Sequence, residues 1–178
     1  MGQYYKPMNT KDKEWLYSHD YDNGLKLMEH SYIGNKFVGT IMKLMVKGGA
    51  WFKKPIVWVG DYYGDEGTEE INYYDQCSDS SKIRPTEFMD EKEQKKAILV
   101  NHTKKLYLKY SEILFDEEWV INPLPLLTNL GNQRGGGDYY GLNSEKVGIW
   151  ANDILSIQKT VPKGKGFKKF VVNFENDY

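Results

Sequence analysis

The sequence predicts a single α+β domain, residues 1–178, with a largely antiparallel sheet and few helices. A chain of 178 residues fits one domain that can bury a sizeable core. Its apolar runs are short and are separated by turn residues, as is typical of strands joined by hairpins. Only one stretch shows the spacing of an amphipathic helix.

Two short strands are predicted near the start, at residues 3–8 and 14–17, around the polar turn 9–12. The one predicted helix comes next, with Asn35 as the residue that caps its start and Gly48 as the residue that ends it. Its apolar face is formed by residues at helical spacing, namely Phe37, Ile41, Leu44 and Met45.

The middle of the chain alternates between clear and weak patterns. Residues 56–59 form a continuous apolar run that predicts a buried strand. Residues 63–91 are polar and acidic, and we interpret them as a surface excursion or as the least ordered part of the domain. Residues 98–101 and 106–110 then predict a hairpin around the turn 102–105.

The last third begins with the proline-rich segment 122–125, which indicates a loop or the start of a short helix. Three strands are predicted after it, at residues 149–150, 154–157 and 170–174. The turn at 162–166 is predicted to join the last two as a hairpin.

Charge and cysteine content exclude several classes of function. A net charge of −1 argues against general nucleic-acid binding, but a local basic face stays open because 22 of the 24 basic residues are lysine. The single cysteine, Cys77, excludes an internal disulfide, and Asp75 and Asp79 predict that its thiol is inert. Without an apolar span or a signal-peptide pattern, we expect a cytoplasmic protein that does not enter a membrane.

The glycine loop, residues 131–141, is the best candidate for a binding site. Three consecutive glycines expose backbone N–H groups that can cradle an anion, and Arg134 adds a planar donor fork. Asp138 can accept from a ribose hydroxyl, and Tyr139 and Tyr140 can stack on a base. A flexible loop or a tight turn is the plain alternative. The Walker lysine and the Rossmann glycine spacing are missing, so neither nucleotide motif applies.

A second candidate is the acidic turn 60–66, which directly follows the predicted strand 56–59. Asp61, Asp65 and Glu66 there are suited to a hydroxyl, a base edge or a divalent cation, although a solvated turn is the simpler interpretation. No cofactor or metal is predicted. The predicted ligand-binding residues are Asn132, Arg134, Gly135, Gly136, Gly137, Asp138, Tyr139, Asp61 and Tyr62.

Catalytic chemistry has little support in the sequence. His19 and Asp20, with His30, are the only hint of a hydrolytic site, and they lack the spacing of a zinc-binding helix. His19 remains an acid–base candidate because imidazole titrates near neutral pH.

The chain resembles a family of small uncharacterised proteins from phages and bacteria. The matching motifs cover nearly the whole chain and include Met1-Gly2-Gln3-Tyr4-Tyr5, Asn122-Pro123-Leu124-Pro125-Leu126-Leu127-Thr128, Arg134-Gly135-Gly136-Gly137-Asp138-Tyr139 and Trp150-Ala151-Xaa-Asp153, together with shorter matches at residues 17–21, 24–30, 60–62 and 101–105. The resemblance implies a phage or mobile-element setting, in which small accessory proteins act against host defences. It implies no activity, cofactor or catalytic residue.

Three hypotheses of function follow. The first is a binding protein that blocks a host protein or sequesters a nucleotide-like anionic signal through the glycine loop. The second is a hydrolase of a phosphorylated or ADP-ribose-like substrate, with His19, Asp20 and Asp61 as candidate residues. The third is an oligomeric structural or interaction module, in which tyrosines anchor the interface.

Overall fold

The computed structural model describes residues 1–64, 71–113 and 119–175, and it confirms the predicted α+β class with a largely antiparallel sheet. The strands of these residues are β1 (Tyr5–Asn9), β2 (Glu14–Trp15), β3 (Lys54–Gly60), β4 (Ser81–Lys82), β5 (Ile98–Asn101), β6 (Leu106–Lys109), β7 (Asn129–Leu130), β8 (Ile154–Gln158) and β9 (Lys168–Lys169).

The helices are short, with one exception. They are α1 (Leu27–His30), α2 (Lys36–Leu44), α3 (Tyr73–Gln76), α4 (Glu91–Lys95) and α5 (Pro123–Leu127). In α2, the only described helix longer than five residues, the Asn35 side chain accepts from the backbone N–H of Val38, as predicted. In α5, two prolines occupy the first turn, where a missing N–H costs nothing, so the proline-rich segment does start a short helix.

The sheet runs in the order β4-β2-β1-β3-β8-β5-β6-β9, with β7 beside β3. Its longest strand, β3, pairs antiparallel with β1 and β8 and parallel with β7. The predicted hairpin is β5 and β6, which pair antiparallel around the turn 102–105. The two edge strands, β4 and β9, are two residues long and exposed, which limits pairing with other chains.

The larger core lies on one face of the sheet. The apolar residues of α2 pack there, and Phe37 and Ile41 are completely buried beside Trp58 of β3. Full burial of one such side chain stabilises the fold by roughly 1.5–3 kcal/mol. The helical periodicity read from the sequence therefore marks the face that holds α2 in place.

The opposite face of the sheet is covered by the start of the described part of the predicted excursion, through α3 and Cys77, whereas Ile83 and Met89 pack on the larger core. Cys77 is buried there with Met8, Val57 and Val59 in a smaller apolar cluster. Burial raises the pKa of the Cys77 thiol to about 11, so the thiol is inert. Desolvation is the main cause, rather than the neighbouring aspartates used in the sequence argument.

The C-terminal prediction was wrong in two respects. Residues 149–150 lie in a turn, and residues 170–174 form no strand. The strand β9 precedes them and pairs parallel with β6, so no hairpin joins it to β8. The alternating pattern reflects burial beyond the end of strand pairing: the Phe170 N–H still donates to the Tyr107 carbonyl, and Phe170 packs on Trp150 and Phe174 on Tyr139.

Within the described ranges, no helix combines the length and the apolar composition that a crossing of the lipid bilayer requires.

Candidate functional site

The two predicted binding segments meet in the structure. The guanidinium of Arg134 donates from Nη1 to the carbonyl oxygen of Tyr62 at 3.2 Å, and Gly135 packs against the Tyr62 ring. Asp61 exchanges hydrogen bonds with Tyr4, since its carboxylate accepts from the Tyr4 N–H at 2.9 Å and its own N–H donates to the Tyr4 carbonyl. Residues 61–62 and the glycine loop therefore form one continuous region.

Within this region the glycine loop already holds an anion of its own. The carboxylate of Asp138 accepts from the backbone N–H groups of Arg134 and Gly135 at 2.9 and 3.1 Å. It also accepts from Gln3 Nε2 and from the Tyr5 hydroxyl, each at 2.8 Å. Asp138 is only 6% exposed. The expectation that these amides face an external anion, and that Asp138 binds a ribose, is therefore wrong: four internal donors satisfy this buried charge.

The burial of this network is also visible in Tyr5. The pKa of the Tyr5 hydroxyl is raised, first by burial and then by the adjacent negative charge of Asp138. Tyr5 thus stays a neutral hydrogen-bond donor to the carboxylate throughout the physiological pH range.

The next residues of the glycine loop bind the start of the chain. Gly136 donates its N–H to the Met1 carbonyl at 3.0 Å and accepts from the Gln3 N–H at 3.2 Å. Gly137 accepts from the Met28 N–H at 3.1 Å. Gly137 has φ +84°, and a Cβ there would collide with the Lys26 side chain, which explains the glycine. The glycines allow two backbones to approach closely.

Tyr139 and Asn132 close the glycine loop from inside. The Tyr139 ring is completely buried, so its predicted role as a stacking platform for a base is wrong. Its hydroxyl accepts from the Glu175 N–H at 3.0 Å, and its backbone bonds in both directions with the Asn132 amide. Tyr140, by contrast, is 61% exposed.

What the glycine loop does present outward is the Arg134 guanidinium. Its carbon lies 5.5 Å from the centre of the Tyr63 ring, and the side chain is exposed. A guanidinium over an aromatic face is a favourable cation–π arrangement that leaves its other N–H donors at the surface.

Tyr63 belongs to a larger set of rings on the same side of the sheet, which we call the aromatic face. Three other members, Trp15, Tyr17 and His19, alternate along the chain with the buried residues Leu16 and Ser18. The fourth, Tyr74, comes from α3. Trp15 and Tyr17 have ring centres 6.2 Å apart, and Tyr17 and His19 have ring centres 5.0 Å apart. The aromatic face consists of Trp15, Tyr17, His19, Tyr63 and Tyr74.

Cations lie over the rings of the aromatic face. The Lys6 ammonium is 4.4 Å from the Trp15 ring centre and 4.1 Å from that of Tyr74. Lys82 lies 5.7 Å from the Tyr17 ring centre. Burial, followed by the charge of Asp61, raises the pKa of Tyr74 to about 12, so this hydroxyl also remains neutral.

The structure does not assemble the predicted hydrolytic residues. His19 is exposed and shares a hydrogen bond of 3.0 Å with the Tyr17 hydroxyl, whereas Asp20 lies 3.5 Å from the Lys82 ammonium. Among the described residues no hydrogen bond joins His19, Asp20 and Asp61 to each other. Asp65 and Glu66 of the acidic turn lie outside the described residues.

His30 is a core residue. Trp58 donates from Nε1 to His30 Nδ1 at 3.0 Å, so the proton of the neutral ring is on Nε2, which donates to the Gly24 carbonyl at 2.7 Å. Burial lowers the pKa of His30 to about 4. In residues 1–64, 71–113 and 119–175, no group of three or more His, Cys, Asp or Glu side chains is placed to hold a metal ion.

Comparison of the chain with protein-family models, with curated proteins and with solved structures finds no match. The resemblance to phage and bacterial proteins therefore stays a prediction, and function has to be argued from geometry. Sequence reasoning missed the aromatic face. Its signal was the alternation of Trp15, Tyr17 and His19 with buried residues, which predicts side chains on one side of an extended chain.

Proposed function

We propose that this protein acts by binding, as a phage-type or mobile-element-type accessory protein that occupies a protein of the host in the cytoplasm. The observation that carries the proposal is the aromatic face, on which three cations, Lys6, Lys82 and Arg134, each lie over a ring. Trp, Tyr and Arg are the residues that supply most of the binding energy in protein interfaces. Rings held by cation–π contacts lose little conformational freedom when a partner docks.

The geometry of the glycine loop supports a protein partner over a sequestered anion. An external phosphate would have to replace the Asp138 carboxylate at the amides of Arg134 and Gly135, and Asp138 would then be left as a buried, poorly paired charge. A protein surface needs no such rearrangement, because it can use the outward Arg134 guanidinium and the rings next to it.

Affinity purification from bacterial lysate tests this function. We expect a host protein to be retained by the wild-type chain and by Tyr140→Ala, which removes an exposed tyrosine outside the aromatic face. Tyr17→Ala and Arg134→Ala should each weaken its binding by about tenfold or more, as truncation of an interface anchor does. Equal retention by all four proteins, or retention of nothing by the wild type, would refute the proposal.

Sequestration of a nucleotide-like anion is the second candidate, and the exposed Arg134 guanidinium is the observation that favours it. A panel of nucleotides, including ADP-ribose, would be read by thermal shift. A ligand that binds the folded state must raise the melting temperature, and Arg134→Ala must abolish that shift. No shift with any compound rules out this candidate and leaves the protein partner.

The same purified proteins also test the two remaining hypotheses, the hydrolase and the oligomeric module. Native mass spectrometry reports the number of subunits and any bound small molecule together. A bound compound recovered intact argues against hydrolysis, and a dimer that Tyr17→Ala dissociates would make the aromatic face a contact between copies of this chain.

A further inference from the structure

The lysines of this chain are segregated to an unusual degree. Residues 51–59, 101–109 and 154–174 contain ten lysines and no Asp or Glu. Taking these ten from the 24 basic residues leaves 14 against all 25 acidic residues, a formal charge of −11 for the rest of the chain. The net charge of −1 therefore conceals a strongly positive part.

The sheet brings the turns of these three segments to one end, whereas Lys109 and Lys159 lie toward the opposite end of β5 and β6. A single row of paired residues crosses five strands in the order Lys54, Leu155, Asn101, Leu106 and Lys168. With neighbouring strands about 4.8 Å apart, this row is about 19 Å wide. The turn before β3, the turn 102–105 and the residues before β9 all lie at this end of the row.

Contacts between the turns confirm their proximity. The Lys168 N–H donates to the Lys105 carbonyl at 3.0 Å, and the Lys105 side chain runs beside Gly166. The rings of His102 and Phe167 meet edge to face with centres 6.0 Å apart. Burial and the charge of Lys53 both lower the pKa of His102, which places Lys53 in the same positive field.

Most of this charge is not neutralised inside the protein. Of the ten lysines, Lys54 pairs with Asp12 and Lys104 with Asp153, while Lys109 and Lys169 both pair with Glu112. The other lysines at this end form no ion pair in the part of the chain that is described, and all five are exposed. They define the basic end, which consists of Lys53, Lys105, Lys163, Lys165 and Lys168.

We propose that the basic end binds the phosphate backbone of nucleic acid. Five exposed ammonium groups spread across about 19 Å match a chain of phosphates, to which lysine binds as a point charge. This inference goes beyond the proposed function and is independent of the aromatic face. Binding at the basic end is independent of base sequence, because it uses charge rather than groove contacts.

Two features favour nucleic acid over an acidic protein. The turn residues 52–54, 102–105 and 163–168 contain no Tyr, Trp or Arg, the side chains that anchor protein interfaces. In addition, residues 163–170 follow the order Lys-Gly-x-Gly-Phe-x-x-Phe, which shares five positions with an RNA-binding strand motif, although only Lys168 and Lys169 of these residues lie in a strand. Here the third position is Lys165 instead of an aromatic residue, and Phe170 packs inward on Trp150, so phosphate contact replaces base stacking.

Fluorescence anisotropy with labelled oligonucleotides of roughly 20 nucleotides tests the proposal, with single-stranded DNA, single-stranded RNA and duplex DNA as separate arms. We expect dissociation constants between about 10⁻⁶ and 10⁻⁴ M. If all five lysines contact phosphates, log K should fall with log salt at a slope of about −3.5 for single strands and about −4.5 for duplex DNA. The arm with the tightest binding identifies the form of nucleic acid.

Matched variants localise the binding. Replacing Lys105, Lys165 and Lys168 with Gln should weaken binding by at least about tenfold at low salt and reduce the salt slope by about 2 for single strands and about 2.7 for duplex DNA. The control replaces three exposed lysines at distant positions with Gln, namely Lys36, Lys92 and Lys96. It should bind like the wild type. All six side chains are exposed, so melting temperatures should remain close to that of the wild type.

Three results would overturn the proposal. The first is no binding of any oligonucleotide at low salt. The second is an equal loss of affinity in the control, because bulk charge would then explain the binding. The third is competition by polyglutamate as effective as that by unlabelled oligonucleotide, which would identify the partner as an acidic protein. The lysate experiment on Tyr17→Ala tests the aromatic face separately, so the two proposals can fail independently.

Discussion

The glycine loop and the basic end both look, in sequence, like places where an anion binds, yet they differ in where their positive groups find a partner. In the glycine loop, the donors close on Asp138, four residues after Arg134. At the basic end, five lysines have no carboxylate partner among the residues described. The difference shows that glycines and a nearby cation indicate a ligand only when the loop supplies no acid of its own.

The largest effect is expected when the internal anion of the glycine loop, the Asp138 carboxylate, is removed. Asp138→Ala removes the acceptor of the Tyr5 hydroxyl, of two backbone amides and of one Gln3 N–H, while Gln3 Nε2 keeps its bond to the Gly131 carbonyl. This variant should lower the free energy of unfolding by about 3–5 kcal/mol. Urea unfolding measures the change. The exposed Asp79→Ala should stay within about 0.5 kcal/mol of the wild type. A loss below about 1 kcal/mol for Asp138→Ala would mean that the network does not hold the loop.

The buried imidazole of His30, on the core side of the sheet, predicts that the stability of the fold depends on pH. His30 has a folded pKa of about 4, whereas an unfolded histidine has one near 6.5, so the unfolded state binds more protons between these values. Stability should be constant above about pH 6.5 and should fall by about 2 kcal/mol between pH 7 and pH 5. Urea unfolding at both pH values measures this. A flat profile in the wild type would contradict the burial of His30.

A smaller difference in stability is expected between Gly→Ala variants in the glycine loop and beside the basic end, because the two glycines differ in backbone geometry. Gly137→Ala places a side chain at φ +84° and against Lys26, and should cost about 2 kcal/mol. Gly164→Ala, beside the basic end, meets only the edge of the Phe167 ring and should cost less than about 1 kcal/mol. Melting temperatures of the two variants measure the difference. Equal costs would mean that the glycine loop is no more constrained than the other turn.

The smallest effect concerns the field at the basic end. Lys53→Gln should raise the pKa of His102, because it removes a positive charge that disfavours the imidazolium. A titration of the ring protons by NMR measures the change. Lys36→Gln serves as the control and should leave the pKa of His102 where it is. No change with Lys53→Gln would place Lys53 outside the positive cluster.

Much of the fold could be predicted because local patterns and tertiary packing agree. The spacing of Phe37 and Ile41, and the polar turn inside the hairpin of β5 and β6, each had one plausible structure. Residues 170–174 failed because alternation reports burial and cannot show whether a neighbouring strand is present. The parallel pairing of β9 with β6 joins residues about 60 positions apart in sequence, and no local signal specifies it.

The candidate site was predicted in part. The sequence analysis placed Tyr62 and the glycine loop in the same predicted binding site, and the structure shows that they are in contact. The direction of the loop amides could not, because it depends on Gln3 and Tyr5, which are more than 130 residues away in sequence. The sequence left a local basic face open but could not locate the basic end for a related reason, since its three segments acquire their charge density only through the order of the strands.

The bond between Tyr5 and Asp138 has a consequence for biosynthesis. The two residues are separated by 133 positions, and ribosomes add roughly 5–20 residues per second. Asp138 is therefore synthesised roughly 7–27 s after Tyr5. During that interval β1 can pair with β2 and β3, but the Tyr5 hydroxyl has no carboxylate acceptor. The leading segment is therefore fully bonded only after residue 138 has been made, and slowed translation before that residue should delay this step.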